Sequence, residues 1–236
     1  MYGQGMYMDP MYFVFVLPAF LLTMWAQQRI RSTYNKWAQV GNERGLTGAD
    51  VARTLLPSER MSDISLEVTP GQLSDHYDPQ KNVLRLSPAV AEQPSIASMS
   101  IAAHEIGHAA QDRDGYLWMK VRSGLVPVLS LASTLGYLIF GGGLFLQSSV
   151  LAWIGVLMIS GSAIFSLVTL PVELDASNRA LKMLSEHSLI TSPQEQKAAR
   201  EMLNSAAWTY VAGAAQAIAG VLYYVFAIMG RSNRRR

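Results

Sequence analysis

Two histidines and a glutamate fall within five consecutive residues, His104-Glu105-Ile106-Gly107-His108, in a chain of 236 residues that has only four histidines. On a helix, residues four apart lie about 40° apart around the axis, so both imidazoles can reach one metal ion. Glu105 projects toward the same cavity, where a carboxylate can take a proton from a metal-bound water. These are two ligands and a base of the arrangement a zinc hydrolase needs. The flanking Ile101, Ala102, Ala103, Ile106, Gly107, Ala109 and Ala110 are uncharged, so the helix can be buried around the motif. A buried glutamate beside two histidines is costly without a compensating cation. That favours metal binding over a structural His/Glu cluster.

The composition places this motif in a membrane protein. Hydrophobic residues make up 50% of the chain and charged residues only 15%, against about 25% charged in soluble domains. Net charge is +2, and the basic residues gather beside apolar runs, which argues against a nucleic-acid surface. There is no cysteine, so disulfides and thiolate metal sites are excluded. Four apolar segments are candidate spans. Residues 11–25 form the first, which Tyr7 and Met8 extend toward the required length of roughly 20 residues. Residues 125–146 and 150–170 form a hairpin around Gln147-Ser148-Ser149, with Gly141-Gly142-Gly143 allowing close packing or loosening the first helix end. Residues 207–229 form the fourth, rich in Gly and Ala. The tail before the first span carries Asp9 and no Lys or Arg, and no cleavage site precedes Gln27, so a cleaved signal peptide is not expected.

Positive charge sets the orientation. Arg29, Arg31 and Lys36 follow the first span, which places residues 27–124 in the cytoplasm. The hairpin crosses out and returns, so residues 171–206 are cytoplasmic too. A fourth full span would put Arg231, Arg234, Arg235 and Arg236 outside, against the rule. Either the last segment is not a simple span or the bias of the first helix overrides it. The expected fold is a mainly α-helical integral membrane protein with about four transmembrane helices and a small α+β catalytic region. Its segments are an anchor (1–26), a catalytic region with the motif helix (27–124), the hairpin (125–170), soluble helices (171–206), and a last span with a basic tail (207–236). The sequence specifies no oligomeric state.

The elements that must position the motif can also be read. Thr47 is an N-cap for a short helix ending before Pro57. Residues 64–68 alternate like a strand, and Pro70-Gly71 marks a turn. The segment LSDHYDP (73–79) ends in another turn, and NVLRLS (82–87) alternates again, so a hairpin leading into the motif helix is expected. Ser87-Pro88 starts a short helix, and Pro94-Ser95 opens the one that runs to about Gln111. Ser192-Pro193-Gln194-Glu195 is a capping-box start for a polar helix before the last span. A catalytic zinc site takes three protein ligands and a water. The third ligand is expected in LPVELDAS (170–177), which two membrane crossings return to the side of His104. Glu173 is the first choice and Asp175 the runner-up. Taken without a metal, both read as the acidic start of a helix.

HEIGHAAQ, the upstream LSDHYDP and NVLRLS, and the downstream LPVELDASNRA resemble the YugP-type family of bacterial membrane zinc metallopeptidases over most of the chain. The chain is also distantly similar to the HtpX and CAAX-prenyl (Ste24-type) peptidases, which place HExxH and a later glutamate ligand on either side of a transmembrane hairpin. There the ligand glutamate is followed four residues later by an aspartate that supports a zinc-bound histidine. Ser177 stands at that position here. Either Asp175 takes the supporting role, or the shell behind the ligands is built differently. The resemblance implies a zincin-like, gluzincin-type metallopeptidase with one catalytic Zn2+ in the bacterial cell membrane, acting on protein or peptide substrates. The physiological substrate does not follow from it.

The mechanism implied is hydrolysis by activated water, with Glu105 moving the proton from water to the leaving amine. The developing oxyanion needs a further donor, for which His76, Tyr77 and Arg179 are candidates beside their ordinary readings as turn, core and surface residues. His187 lies outside any metal spacing and reads as a surface residue near a helix end. Two other functions compete. A site-2-type intramembrane protease also uses HExxH, but here the motif helix carries Ser95, Ser98 and Ser100 and runs into Gln111-Asp112-Arg113-Asp114. A membrane scaffold or adaptor with a vestigial zinc site would need no Glu105 that glutamine could not replace.

Overall fold

The chain order is α1 (Pro10–Ala38), α2 (Gly48–Ser58), β1 (Ser65–Val68), β2 (His76–Asp78), β3 (Val83–Leu86), α3 (Pro88–Glu92), α4 (Ile96–Arg113), α5 (Leu117–Phe145), α6 (Ser149–Glu186) and α7 (Pro193–Asn233). It is taken from a computed structural model that describes residues 10–233. The expected reach of the first span through Tyr7 and Met8, and the arginines at 234–236, lie outside the described residues. The protein is mainly helical and membrane-like. Among the described residues, three helices are long and apolar enough to cross a membrane, within Pro10–Ala38, Ser149–Glu186 and Pro193–Gly230. A shorter apolar stretch, Thr134–Phe145, lies in α5.

The described residues form two compact units. The first comprises residues 10–26, 121–169 and 209–233. Its interior joins Phe140 of α5, Ala152, Val156 and Ile159 of α6, and Ile228 of α7. Small residues let α5 and α6 approach closely. A Cβ on Gly143 would stand 2.4 Å from Ala152 N, and one on Gly155 2.5 Å from Phe140 N. Of the three consecutive glycines, Gly143 therefore serves packing, whereas Gly141 and Gly142 have nothing within 4 Å. The chain reverses at Gln147, which takes a left-handed φ of 56°, as the polar turn predicts.

The second unit comprises Gln27–Lys120 and Leu170–Trp208. Its core packs Val51, Leu55 and Leu56 of α2, Leu84 and Leu86 of β3, Met99 and Ile106 of α4, and Leu181 and Leu184 of α6. Thr47 caps α2 through a full capping box with Asp50. The sheet order is β1-β3-β2. The hairpin is β2–β3, antiparallel, and β1 joins the other side of β3 in parallel. The hairpin partner is thus a three-residue strand inside LSDHYDP, too short to show an alternating pattern. Arg85 on one face pairs with Glu67 and Asp78 at 2.9 and 3.0 Å. Ser192 caps α7, its Oγ accepting from Glu195 N at 3.3 Å. The Glu195 carboxylate turns instead to Thr191 N (3.0 Å) and Glu43 N (3.1 Å), so the capping box is only half formed.

Candidate metal centre

The motif helix α4 is buried on nearly all sides, because its residues are small. Ala97, Ala102, Ala103, Ile106 and Ala109 are shielded from solvent, and Ser95 caps the helix by accepting from Ser98 N at 3.1 Å. Gly107 decides how close α6 comes. A Cβ there would lie 2.5 Å from the carbonyl oxygen of Ala176, so only glycine permits this approach. On α6, Glu173, Ala176, Ser177 and Ala180 share one face by helical spacing, and all four are buried. Close contact at Ala176 therefore brings Glu173 and Ser177 to the two motif histidines.

Glu173 Oε2 lies 3.2 Å from His104 Nε2 and 3.4 Å from His108 Nε2. One ligand atom from each of the three residues falls within 4.8 Å of the others. A tetrahedral site with metal–ligand bonds of about 2.05 Å has ligand atoms about 3.3 Å apart. The two nitrogen–oxygen separations match that spacing, and the donor set is one that zinc takes in hydrolases. The electrostatics agree. Burial pushes Glu173 up, but its hydrogen bonds with the two histidines outweigh this and hold it below the ordinary glutamate range. Burial pushes His108 down, yet Glu173 and Glu105 hold it above the ordinary histidine range. The groups stabilise one another as a charge pair, the role a divalent cation would take over.

Neutral side chains stand directly behind the histidines, with charged ones beyond them. His108 Nδ1 lies 3.0 Å from Gln111 Oε1. Gln111 Nε2 donates to Val172 O at 2.7 Å and to Asp175 Oδ2 at 2.8 Å. Both are acceptors only, which fixes the amide with its oxygen toward His108. His108 Nδ1 must then carry the proton, leaving Nε2 for a metal. His104 Nδ1 is 3.2 Å from Ser177 Oγ. Ser177 itself bonds the histidine, and Asp175 supports the other histidine through Gln111. Arg179 closes the network, donating to Asp175 at 2.7 Å and to Asp114 at 2.6 Å. Sequence reasoning missed Gln111. A glutamine three residues after a histidine looks like any polar helix position, and only its complete burial sets it apart.

Glu105 is buried, and burial pushes its carboxyl above the ordinary range against the attraction of His104 and His108. Its Oε2 accepts from the Tyr77 backbone N–H at 3.2 Å. The three side chains considered for the oxyanion are engaged elsewhere. His76 is exposed, its Nδ1 donating to Ser74 O at 2.8 Å with Arg85 on the other ring nitrogen. The Tyr77 hydroxyl donates toward Asn82 Oδ1 and Asp112 Oδ2 at 3.1 and 3.2 Å. Arg179 holds the two aspartates. His187 pairs with Glu59 at 3.0 Å, at the far ends of α2 and α6.

A His/His/Glu cluster in a chain with span-length apolar helices is the pattern of a membrane metallopeptidase class. The chain belongs to the family described as "Putative neutral zinc metallopeptidase", whose model matches residues 12–229. A relative in Bacillus subtilis (strain 168), "Putative membrane protease YugP", is 38% identical over 216 residues, covering 91% of this chain and 96% of that protein. No solved structure matches this chain.

Proposed function

We propose that this protein is a gluzincin-type metalloendopeptidase that hydrolyses peptide bonds in membrane-associated or misfolded proteins at the cytoplasmic face of a bacterial membrane. The observation that carries this reading is Glu173, 69 positions from His104 in the chain, with one carboxylate oxygen close to both histidine nitrogens. In this reading His104, His108 and Glu173 hold one zinc ion and Glu105 is the general base. Zinc, when bound, supplies a Lewis acid for the scissile carbonyl and lowers the pKa of a water toward about 7. Burial raises the proton affinity of Glu105, which suits a carboxylate that takes a proton from the attacking water and returns it to the leaving amine. The anchor (1–26), the hairpin (125–170) and the last span within 207–236, apart from its basic tail, are assigned to the membrane, and residues 27–124 and 171–206 to the catalytic side. Arg29, Arg31 and Lys36 after the first span support the cytoplasmic orientation.

The test is Glu105→Gln in the full chain, purified in lipid nanodiscs. Glutamine keeps the shape but cannot take the proton. Zinc content is expected to match the wild type, while hydrolysis of unfolded casein falls by about 10²–10⁴-fold. Equal casein hydrolysis by both proteins would contradict the role of Glu105. Absence of cleavage by either, with zinc bound, would favour the scaffold.

A further inference from the structure

We infer that the backbone amide of Tyr77 is the positioning group that aims the Glu105 carboxylate, an inference that rests on the peptidase reading above. Among the described residues, this N–H is the one hydrogen-bond donor to the buried carboxylate, 3.2 Å from Oε2. The donor is available because of where it sits in the sheet. In the β2–β3 register Tyr77 faces Leu84, while His76 faces Arg85 and Asp78 faces Val83. Antiparallel pairs alternate between hydrogen-bonded and non-hydrogen-bonded. An N–H directed at Glu105 makes Tyr77–Leu84 a non-hydrogen-bonded pair, on a strand that has no neighbour beyond it in the sheet. The amide is therefore not used by the ladder.

Its position is fixed from both sides. Just before the strand, Asp75 accepts from Ser87 N at 2.7 Å and from Ser87 Oγ at 3.0 Å. This ties β2 to the start of α3. On the side-chain face, the Tyr77 hydroxyl reaches Asp112 at the end of α4. The strand is thus pinned to the same helix that carries Glu105. A glutamate side chain has three rotatable bonds, and their entropy must be lost before the carboxylate meets water and substrate in line. A rigid backbone donor on Oε2 removes that freedom in advance and leaves Oε1 for the proton. Substitution at position 77 by any residue except proline leaves this donor in place, which conceals it from ordinary alanine scanning.

The direct test replaces the peptide bond before Tyr77 by an ester, incorporating the α-hydroxy analogue of tyrosine into the full zinc-loaded chain in nanodiscs. The phenol stays and only the N–H is lost. Against fluorescein-labelled β-casein, kcat is expected to fall about tenfold or more, with KM and zinc stoichiometry unchanged. In zinc-free protein, the infrared carboxyl band that disappears in Glu105→Gln is expected to shift in the ester. An unchanged kcat, or a raised KM at constant kcat, would overturn the inference, the latter by showing that the amide serves substrate pairing instead. Should the ester chain not fold, Tyr77→Pro is compared with Tyr77→Ala. Both lack the phenol, only proline lacks the N–H, and proline at this edge-strand position removes no ladder hydrogen bond. Equal kcat in that pair would also overturn it. A wild-type chain that cleaves no casein contradicts the peptidase reading instead, while the infrared band still decides the hydrogen bond.

Discussion

Both motif histidines are backed by neutral groups, the Gln111 amide and the Ser177 hydroxyl. The Gln111 amide fixes the tautomer of His108, and neither partner adds negative charge, whereas a carboxylate in the same place would make the imidazole more basic. In the proposed site Glu173 is the only anionic protein ligand, so a zinc ion held there keeps a net positive charge and with it the power to polarise a carbonyl. Gln111→Ala removes the constraint on His108 and leaves the Val172 carbonyl and Asp175 without their donor. Zinc affinity is expected to fall about 10–100-fold, measured by competition with a chromophoric chelator. Wild-type affinity would show that Gln111 merely fills space. At this scale the sequence was most legible where side-chain type and spacing determine chemistry. HEIGH reads directly as two nitrogens and a carboxylate on one helix face. Ser177 and Gln111 could not be read in the same way, since a hydroxyl or amide acquires its role only from the atoms opposite it.

Helices α4 and α6 hold the candidate ligands, and their separation is set by Gly107 against Ala176. The Gln111–Asp175–Arg179–Asp114 chain of hydrogen bonds ties the same two helices together beyond that contact. Gly107→Ala would force the Ala176 backbone away, carrying Glu173 from the histidines. We expect a loss of about 1–3 kcal/mol in stability and a marked loss of bound zinc. Thermal unfolding and metal analysis of the purified variant check both, and wild-type values would contradict the close-approach account. Helices and caps were legible because their signals are local. Thr47 and Ser95 cap helices where their types and positions predict. β2 was not legible as a strand. Its three residues owe their conformation to pairing with β3 and to the Asp75–Ser87 and Tyr77–Asp112 tethers, none of which leaves a periodic pattern in so short a segment. The half-formed box at Ser192 was not legible either, since Glu43, far away in sequence, captures the partner of the cap.

The chain interleaves the segments of an apolar unit with those of a polar unit, and Glu173 lies a few residues beyond the apolar run that ends at Leu170. This ordering makes orientation testable. The protein has no cysteine, so a single cysteine at the exposed Lys81, in the turn before β3, reports the side on which the catalytic unit lies. A membrane-impermeant maleimide is expected to label it in inside-out vesicles and not in intact cells. Labelling of intact cells would reverse the orientation drawn from Arg29, Arg31 and Lys36. The apolar segments were legible by length and composition, because burial in lipid demands long runs without charge. Their packing was less so, since three adjacent glycines look alike until Gly143 alone is found against a neighbouring helix. The central claim is that His104, His108 and Glu173 together form one zinc site. It is tested most directly by metal analysis of the purified full chain and its Glu173→Ala variant, both verified as folded. The account predicts one zinc per wild-type chain and little in the variant; stoichiometric zinc in Glu173→Ala would contradict it.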